Sequence, residues 1–383
     1  MHARTVALRS LALIALSCTG GGLEATASST EALRPSAAPR LTPQVSGTTN
    51  SLIGISAIDA RVVWASGRNG TFAVTTNGGE SWRTGVVPGA EALQFRDVEG
   101  VSEEVAYLLS IGSGTDSRIY RTHDGGKTWT MEFQNQDPNG FYDCFAFWDP
   151  RHGLTMADSV DGRFPIVRTL DGHSWQDIGD RLPAALPGEA GFASSGTCAA
   201  TWGSRRAWLT TGGTDTARVL ATRDRGQTWT AATAPLSAGP AGGGFSLAFR
   251  DARHGILGGG DLLTPDEVRD NFARSSDSGK TWQLGTRAPI AGAIYGLAYA
   301  VDGARRGEGD DDEDGDQDRG QGRHPASPPR VVVTAPPGAA WSADEGQSWT
   351  LLPDVAGYWA VSFGSRSTGW LVGTGGRILR IDF

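Results

Sequence analysis

The sequence predicts an all-β fold: a seven-bladed β-propeller of four-stranded antiparallel blades, closed by an N-terminal strand. Three observations predict it. Six copies of one turn pattern punctuate the chain, seven apolar hairpins stand upstream of where that pattern falls or would fall, and the chain ends where a seventh copy would begin. The pattern is Ser/Thr-x-Asp-x-Gly-x-Ser/Thr-Trp, closing on Trp82, Trp129, Trp175, Trp229, Trp282 and Trp349 at spacings of 46 to 67 residues. Self-similarity near this period marks a repeat architecture with one supersecondary unit per copy.

Each box sits between two short strand-like runs, as Arg118-Ile-Tyr-Arg121 and Thr130-Met-Glu-Phe133 flank the second, which is a hairpin signal. The Asp (Asp124, Asp171, Asp224, Asp277, Asp344) can accept backbone N–H groups of its own turn, and Asn77 keeps an acceptor in the first copy. The following Gly supplies a positive φ, the flanking hydroxyls tie the strand ends, and the Trp offers an apolar plate. The third box, Thr169 to Trp175, is one residue short. Such variation suits a turn clamp and not a catalytic centre.

The upstream hairpins run from Ile58–Trp64 and Phe95–Tyr107 through Phe147–Leu154, Trp202–Leu209, Phe249–Ile256 and Tyr299–Val333 to Phe363–Leu371. Four strands per unit make a propeller blade, whose ring removes free sheet edges by closure. The last unit lacks an outer strand, and Arg40–Ser46 is placed to supply it. The propeller is therefore expected over 40–383.

The N-terminus pairs arginines with Leu11–Leu16 and then Ala25-Thr-Ala27, which reads as a signal peptide over 1–27 followed by a flexible leader over 28–39. A secreted or periplasmic monomer is expected, and the apolar run is too short to span a membrane. Cys18 stands where a lipoprotein would carry its lipid, although Leu16 and Arg9 fit that pattern poorly. Cys144 and Cys198 occupy the same register in consecutive units, each four residues before a Trp. Equivalent positions point the same way round a ring, so two buried thiols are favoured over a bond.

Formal charge is −8, and Glu308–Asp318 alone holds eight acidic residues and no basic one, leaving a neutral body. That excludes a concentrated basic surface for nucleic acid. The acidic stretch falls in the sixth hairpin turn and reads as a disordered insertion over 302–330. Its half-match to a calcium loop fails at Gln317 and Gln321. Only two lysines are present, both in boxes, and no nucleotide fingerprint follows a strand, so no cofactor and no metal are expected.

The boxes resemble those of the Asp-box (bacterial neuraminidase repeat) superfamily. With Gln44–Gly47, Leu52–Ile55, Phe145–Asp149, Asp158–Gly162, Gly188–Phe192, Phe245–Asp251 and Gly259–Asp261, the chain is similar to the photosystem II stability/assembly factor-like group of WD40/YVTN/BNR-like repeat proteins. The resemblance implies a lumenal or periplasmic scaffold that binds another protein or peptide. The sialidases of the superfamily imply the alternative, a glycoside hydrolase with a Tyr nucleophile, an Asp acid/base and three arginines, or one with paired carboxylates. No Phe/Tyr-Arg-Ile-Pro motif precedes the first box, so the balance falls on a non-enzymatic binding role.

Box turns share a face with the first-to-second strand turns, and the opposite face collects the longer loops. Function on such scaffolds is carried by loops. The candidate binding residues there are Tyr142, Asp143, Asp158, Asp161, Arg163, Glu189, Asp215 and Asp261.

Overall fold

The computed structural model describes residues 37–301 and 329–383. The expected signal peptide, Cys18 and the acidic stretch Glu308–Asp318 lie outside the described residues. Seven four-stranded sheets form, each with its strands in consecutive antiparallel order except the last. The inner strands are Leu52–Ala57, Gln94–Gly100, Tyr142–Asp149, Ala199–Trp202, Gly242–Phe249, Gly296–Ala300 and Tyr358–Phe363.

Strand geometry explains why these segments are apolar almost throughout. Successive side chains leave opposite faces of a sheet, and in a ring both faces of a blade meet a neighbouring blade. Seven apolar clusters result, and each spans two blades. Trp64 and Phe72 of blade one meet Phe95 and Leu108 of blade two, and the circle closes where Val63 and Ala65 meet Trp370 and Ile378 of blade seven. Hydroxyls stitch the same seams near the axis. Ser362 Oγ accepts Ala57 N–H at 3.0 Å, Ser56 Oγ accepts Gly100 N–H at 3.1 Å, and Thr201 Oγ1 donates to Phe147 O at 2.7 Å.

The seventh blade takes its outer strand from Arg40–Gln44, which pairs with Ile378–Asp382 in the register Arg40↔Asp382 to Gln44↔Ile378. Gln44 also reaches the neighbouring blade: its Oε1 accepts Trp82 Nε1–H at 3.0 Å, and its Nε2 donates to Gly78 O at 3.2 Å.

The boxes are the turn clamps the sequence implies. In the second, Asp124 Oδ1 accepts the N–H groups of Lys127 and Thr128 at 2.9 Å each, and Thr122 Oγ1 accepts that of Gly126 at 2.8 Å. The amides and hydroxyl of the turn, Thr128 first, hold the Asp124 carboxyl well below the usual range. Gly126 has φ 80°, where a side chain would be strained. Asn77 keeps the clamp by accepting Ser81 N–H at 3.1 Å and donating to Ser81 Oγ at 3.0 Å.

The boxes also do something the repeat pattern did not reveal. In five of them, the carbonyl of the residue after the clamp Asp or Asn accepts a donor from the preceding blade. Arg380 grips Gly78 O, Arg83 grips Gly125 O, Tyr107 grips Gly172 O, Arg168 grips Arg225 O, and Trp208 grips Ser278 O. Each box is thus a clamp within its blade and a catch between blades.

The expected pair of free thiols is corrected: Cys144 and Cys198 form a disulfide with Cα atoms 6.0 Å apart. The ring argument holds only for residues inside strands. Cys144 does lie in a strand, but Cys198 sits in a bend one residue before Ala199–Trp202. Freed from strand alternation, Cys198 turns back into the seam between blades three and four, alongside Trp148 and Met156.

Candidate functional site: a cup sealed by a loop

The ring encloses a cavity of about 680 Å³. It extends from Ile55, Asp97 and Leu247, midway along the inner strands, to Trp202, Arg250 and Arg366 beside the first turns on the box face. Gly196 and Thr197 lie at the other end. The lining mixes apolar inner-strand residues with Glu99, Thr201 and Ser362, so it suits a ligand with both apolar and hydrogen-bonding parts.

Residues 189–197, which lead from blade three into blade four, seal the loop-face end. Ala190 pairs with Gly212, and Phe192 stacks on Phe245 of blade five at 3.9 Å between centroids. Arg96 of blade two donates to Ala193 O at 3.0 Å, and its guanidinium lies over Trp359 of blade seven at 5.3 Å. Ser194 and Ser195 donate to Tyr295 O, just before the inner strand of blade six. A single connection therefore touches most of the ring and leaves a blind cup facing the boxes.

Three of the acidic candidates, Asp143, Asp158 and Glu189, are engaged in holding this connection and its neighbours. Glu189 is 1% exposed. It accepts Thr211 Oγ1–H at 2.5 Å and Leu186 N–H at 2.8 Å, and pairs with both Nε and Nη2 of Arg218. Asp143 and Asp158 meet in a hydrogen-bonded pair. Burial, followed by the charge of Asp158, raises Asp143 well above its ordinary value. Burial pushes Asp158 up to about 6, opposed by the Gly191 amide and by Asp143.

The other candidates stand apart. Tyr142 packs edge-to-face on Phe133 in the core between blades two and three. Arg163 pairs with Asp177 and Asp180 at 2.6 Å each. Asp261 Oδ1 caps its own turn by accepting Leu263 N–H at 2.9 Å. Asp161 and Asp215 are exposed in separate loops. So the fold joins Asp143, Asp158 and Glu189 through residues 189–197 and does not bring the other five to them. It also enlists Arg96, Phe192, Tyr295 and Trp359, of which only Phe192 lies in a segment the sequence marked, the long loop Ile178–Ser195.

The geometry also bears on paired-carboxylate chemistry. Glycosidase carboxyls stand roughly 5–9.5 Å apart with the sugar between them, whereas Asp143 and Asp158 touch, and Asp143 is 2% exposed. His152 and His254 each turn Nδ1 to an Asp of their own turn, Asp149 and Asp251, at 2.7 and 2.8 Å.

The Glu189–Arg218 pair yields a sharp expectation. Arg218→Ala leaves a buried carboxylate without its counter-ion and should cost about 3–5 kcal/mol, while replacing both partners by Gln and Met should cost much less. Urea unfolding of the two variants checks this; equal losses would mean the pair contributes through packing alone.

The BNR/Asp-box repeat family model matches residues 120–131, the second box and its flanks. No curated protein matches the chain. Among solved structures, it is similar to YCF48 from Cyanidioschyzon merolae at 15% identity and a TM-score of 0.58, covering 90% of this chain and 99% of that one. A YCF48 bound to a D1 peptide is similar at 16% identity and 0.56, covering 91% and 97%. A GH74 enzyme of Niastella koreensis is similar at 13% identity and 0.54, covering 87% of this chain and 43% of that one. At these identities the likeness is one of fold. Six clamp boxes, one matched by the family model, on seven four-stranded blades make this chain an Asp-box (BNR-repeat) β-propeller.

Proposed function

We propose that this propeller is a non-enzymatic binding or assembly scaffold, exported from the cytoplasm, that takes a peptide segment of a partner protein into the cup on the box face. The observation that carries the reading is the blind cup itself, with a mixed lining and a floor built from chain that reaches blades on every side of the ring. The buried carboxylates of the opposite face hold protein groups, which leaves them unsuited to acid/base work on a sugar. The exposed arginines Arg61, Arg151, Arg205 and Arg253 occupy corresponding first turns on the box face, which favours a segment bearing acidic groups. A disulfide between Cys144 and Cys198 suits an oxidising compartment. The YCF48 that holds a D1 peptide offers a precedent for peptide binding on this fold.

The test is affinity capture from an envelope extract, run beside a panel of chromogenic glycosides. Ala298 lines the cup and packs on the seam of blades six and seven, so Ala298→Trp should fill the cup and abolish capture of a specific protein, with a modest loss of melting temperature from overpacking. Arg205→Glu with Arg253→Glu should weaken capture in a salt-dependent way. Glycoside hydrolysis lost in Asp158→Asn, with capture indifferent to Ala298→Trp, would replace the scaffold reading by the hydrolase one.

A further inference from the structure

The segment that seals the channel rests on two carboxyl groups, and this goes beyond the binding role of the cup. Asp143 is the extra residue of a bulge, where the inner strand of blade three shifts register between Tyr142 and Cys144. The bulge turns its side chain inward, under residues 189–197. Asp158 follows the next strand and meets it from below. Together they underlie the sealing segment: Asp158 Oδ1 accepts Gly191 N–H at 3.0 Å, and the Ala193 amide favours the charged form of Asp143. Contact is close enough that a Cβ on Gly191 would lie 2.4 Å from Asp143 Oδ2. That oxygen meets no protein donor among the described residues, so a proton between the two carboxyls is what satisfies it.

We propose that residues 189–197 are a pH-responsive plug, held across the ring by a proton that Asp143 and Asp158 share and loosened when the pair loses it, which opens the blind cup into a through-channel. Two carboxylates in contact cannot both ionise without strong repulsion unless a cation stands by. The charged groups around the pair are already engaged. Arg96 is bound to Ala193 O, Arg218 to Glu189, and Arg163 to Asp177 and Asp180. Asp97, on the blade-two side, accepts the amides of Val98 and Phe145. Tyr142 and Tyr295 are held neutral by burial. The shifts of both acids trace to burial, to one another and to the two amides.

The sign follows from proton counting. Both carboxyls have folded values above the ordinary one, so the closed plug binds more protons than the open one. Its hold is complete below about pH 4, weakens as Asp158 ionises near 6 and the pair falls to a single shared proton, and is lost where that last proton leaves Asp143, at higher pH. The ends stay fixed throughout, one by Glu189–Arg218 and the other by Cys144–Cys198, so the middle lifts like a strap.

The experiment is amide hydrogen exchange across residues 190–197 in the full chain, corrected for the intrinsic pH dependence of exchange. Protection should fall roughly tenfold or more between pH 5 and 7, as expected for a carboxyl moving from about 6 when closed to about 3.9 when open. In Asp158→Asn the amide can donate to Asp143 and still accept Gly191 N–H, so protection should become flat with pH. Asp143→Asn gives an independent second variant, and melting of each reports its folding. Flat protection in the unaltered protein, or the same fall in both variants, would overturn the proposal.

Discussion

Deletion of residues 28–46 is expected to lower the melting temperature by about 10 °C and to expose Ile378–Asp382 to rapid hydrogen exchange. The strand lost is mostly exposed, so little of the effect comes from buried area. It comes from the five-residue ladder against Ile378–Asp382 and from the two Gln44 bonds that fasten the last blade to the first box. At about 1 kcal/mol per hydrogen bond the loss is on the order of 5 kcal/mol, and a domain of this size shifts by roughly 2 °C per kcal/mol. Removing the strand also leaves an unpaired edge on Ile378–Asp382, which invites association between rings. Unchanged melting would mean that the apolar seam between blades seven and one closes the ring alone.

Replacing both cysteines, Cys144→Ala with Cys198→Ala, is expected to cost about 4 kcal/mol in the reversible unfolding free energy, the chain-entropy value for residues 54 apart. Both side chains are fully buried in an apolar seam, so the double substitution leaves a small void as well. The entry into blade four should loosen with it, because Cys198 lies directly before that blade's short inner strand. Peptide mapping under non-reducing conditions gives an independent check. A Cys144 peptide recovered free, or a double variant as stable as the parent, would remove the bond from the account of stability.

The blade count, the clamp geometry and the closing strand were legible because they depend on local chemistry repeated at a fixed period. An Asp with a Gly two residues on makes its turn wherever it occurs, and Asn77 could be read as a substitute from its donors and acceptors alone. The cysteine pairing was misread because the reading extended strand alternation one residue too far, to a position the fold bends. The loop-face acids were singled out as candidates from their loops. Their engagement was hidden because the partner of Glu189 is Arg218, 29 residues along the chain, and that of Asp143 lies across a bulge. The cup could not be seen in sequence at all, since its floor is a connection whose anchors, Arg96, Phe245 and Tyr295, belong to three other places on the ring.

The catches between blades bear on how such a chain can be rearranged. Five boxes present the same acceptor, a turn carbonyl, but the group that reaches it differs each time: Arg380, Arg83, Tyr107, Arg168 or Trp208, from outer, second or third strands. The units look alike in isolation, yet each fits one upstream neighbour. A chimaera that moved the fourth unit into second place would bring Trp208 to a turn shaped for the longer reach of Tyr107 and leave Ser278 O without its donor. Unit order is thus written into the joints between the repeats. Shuffled versions of this protein should fail at those joints even where every unit retains its own fold.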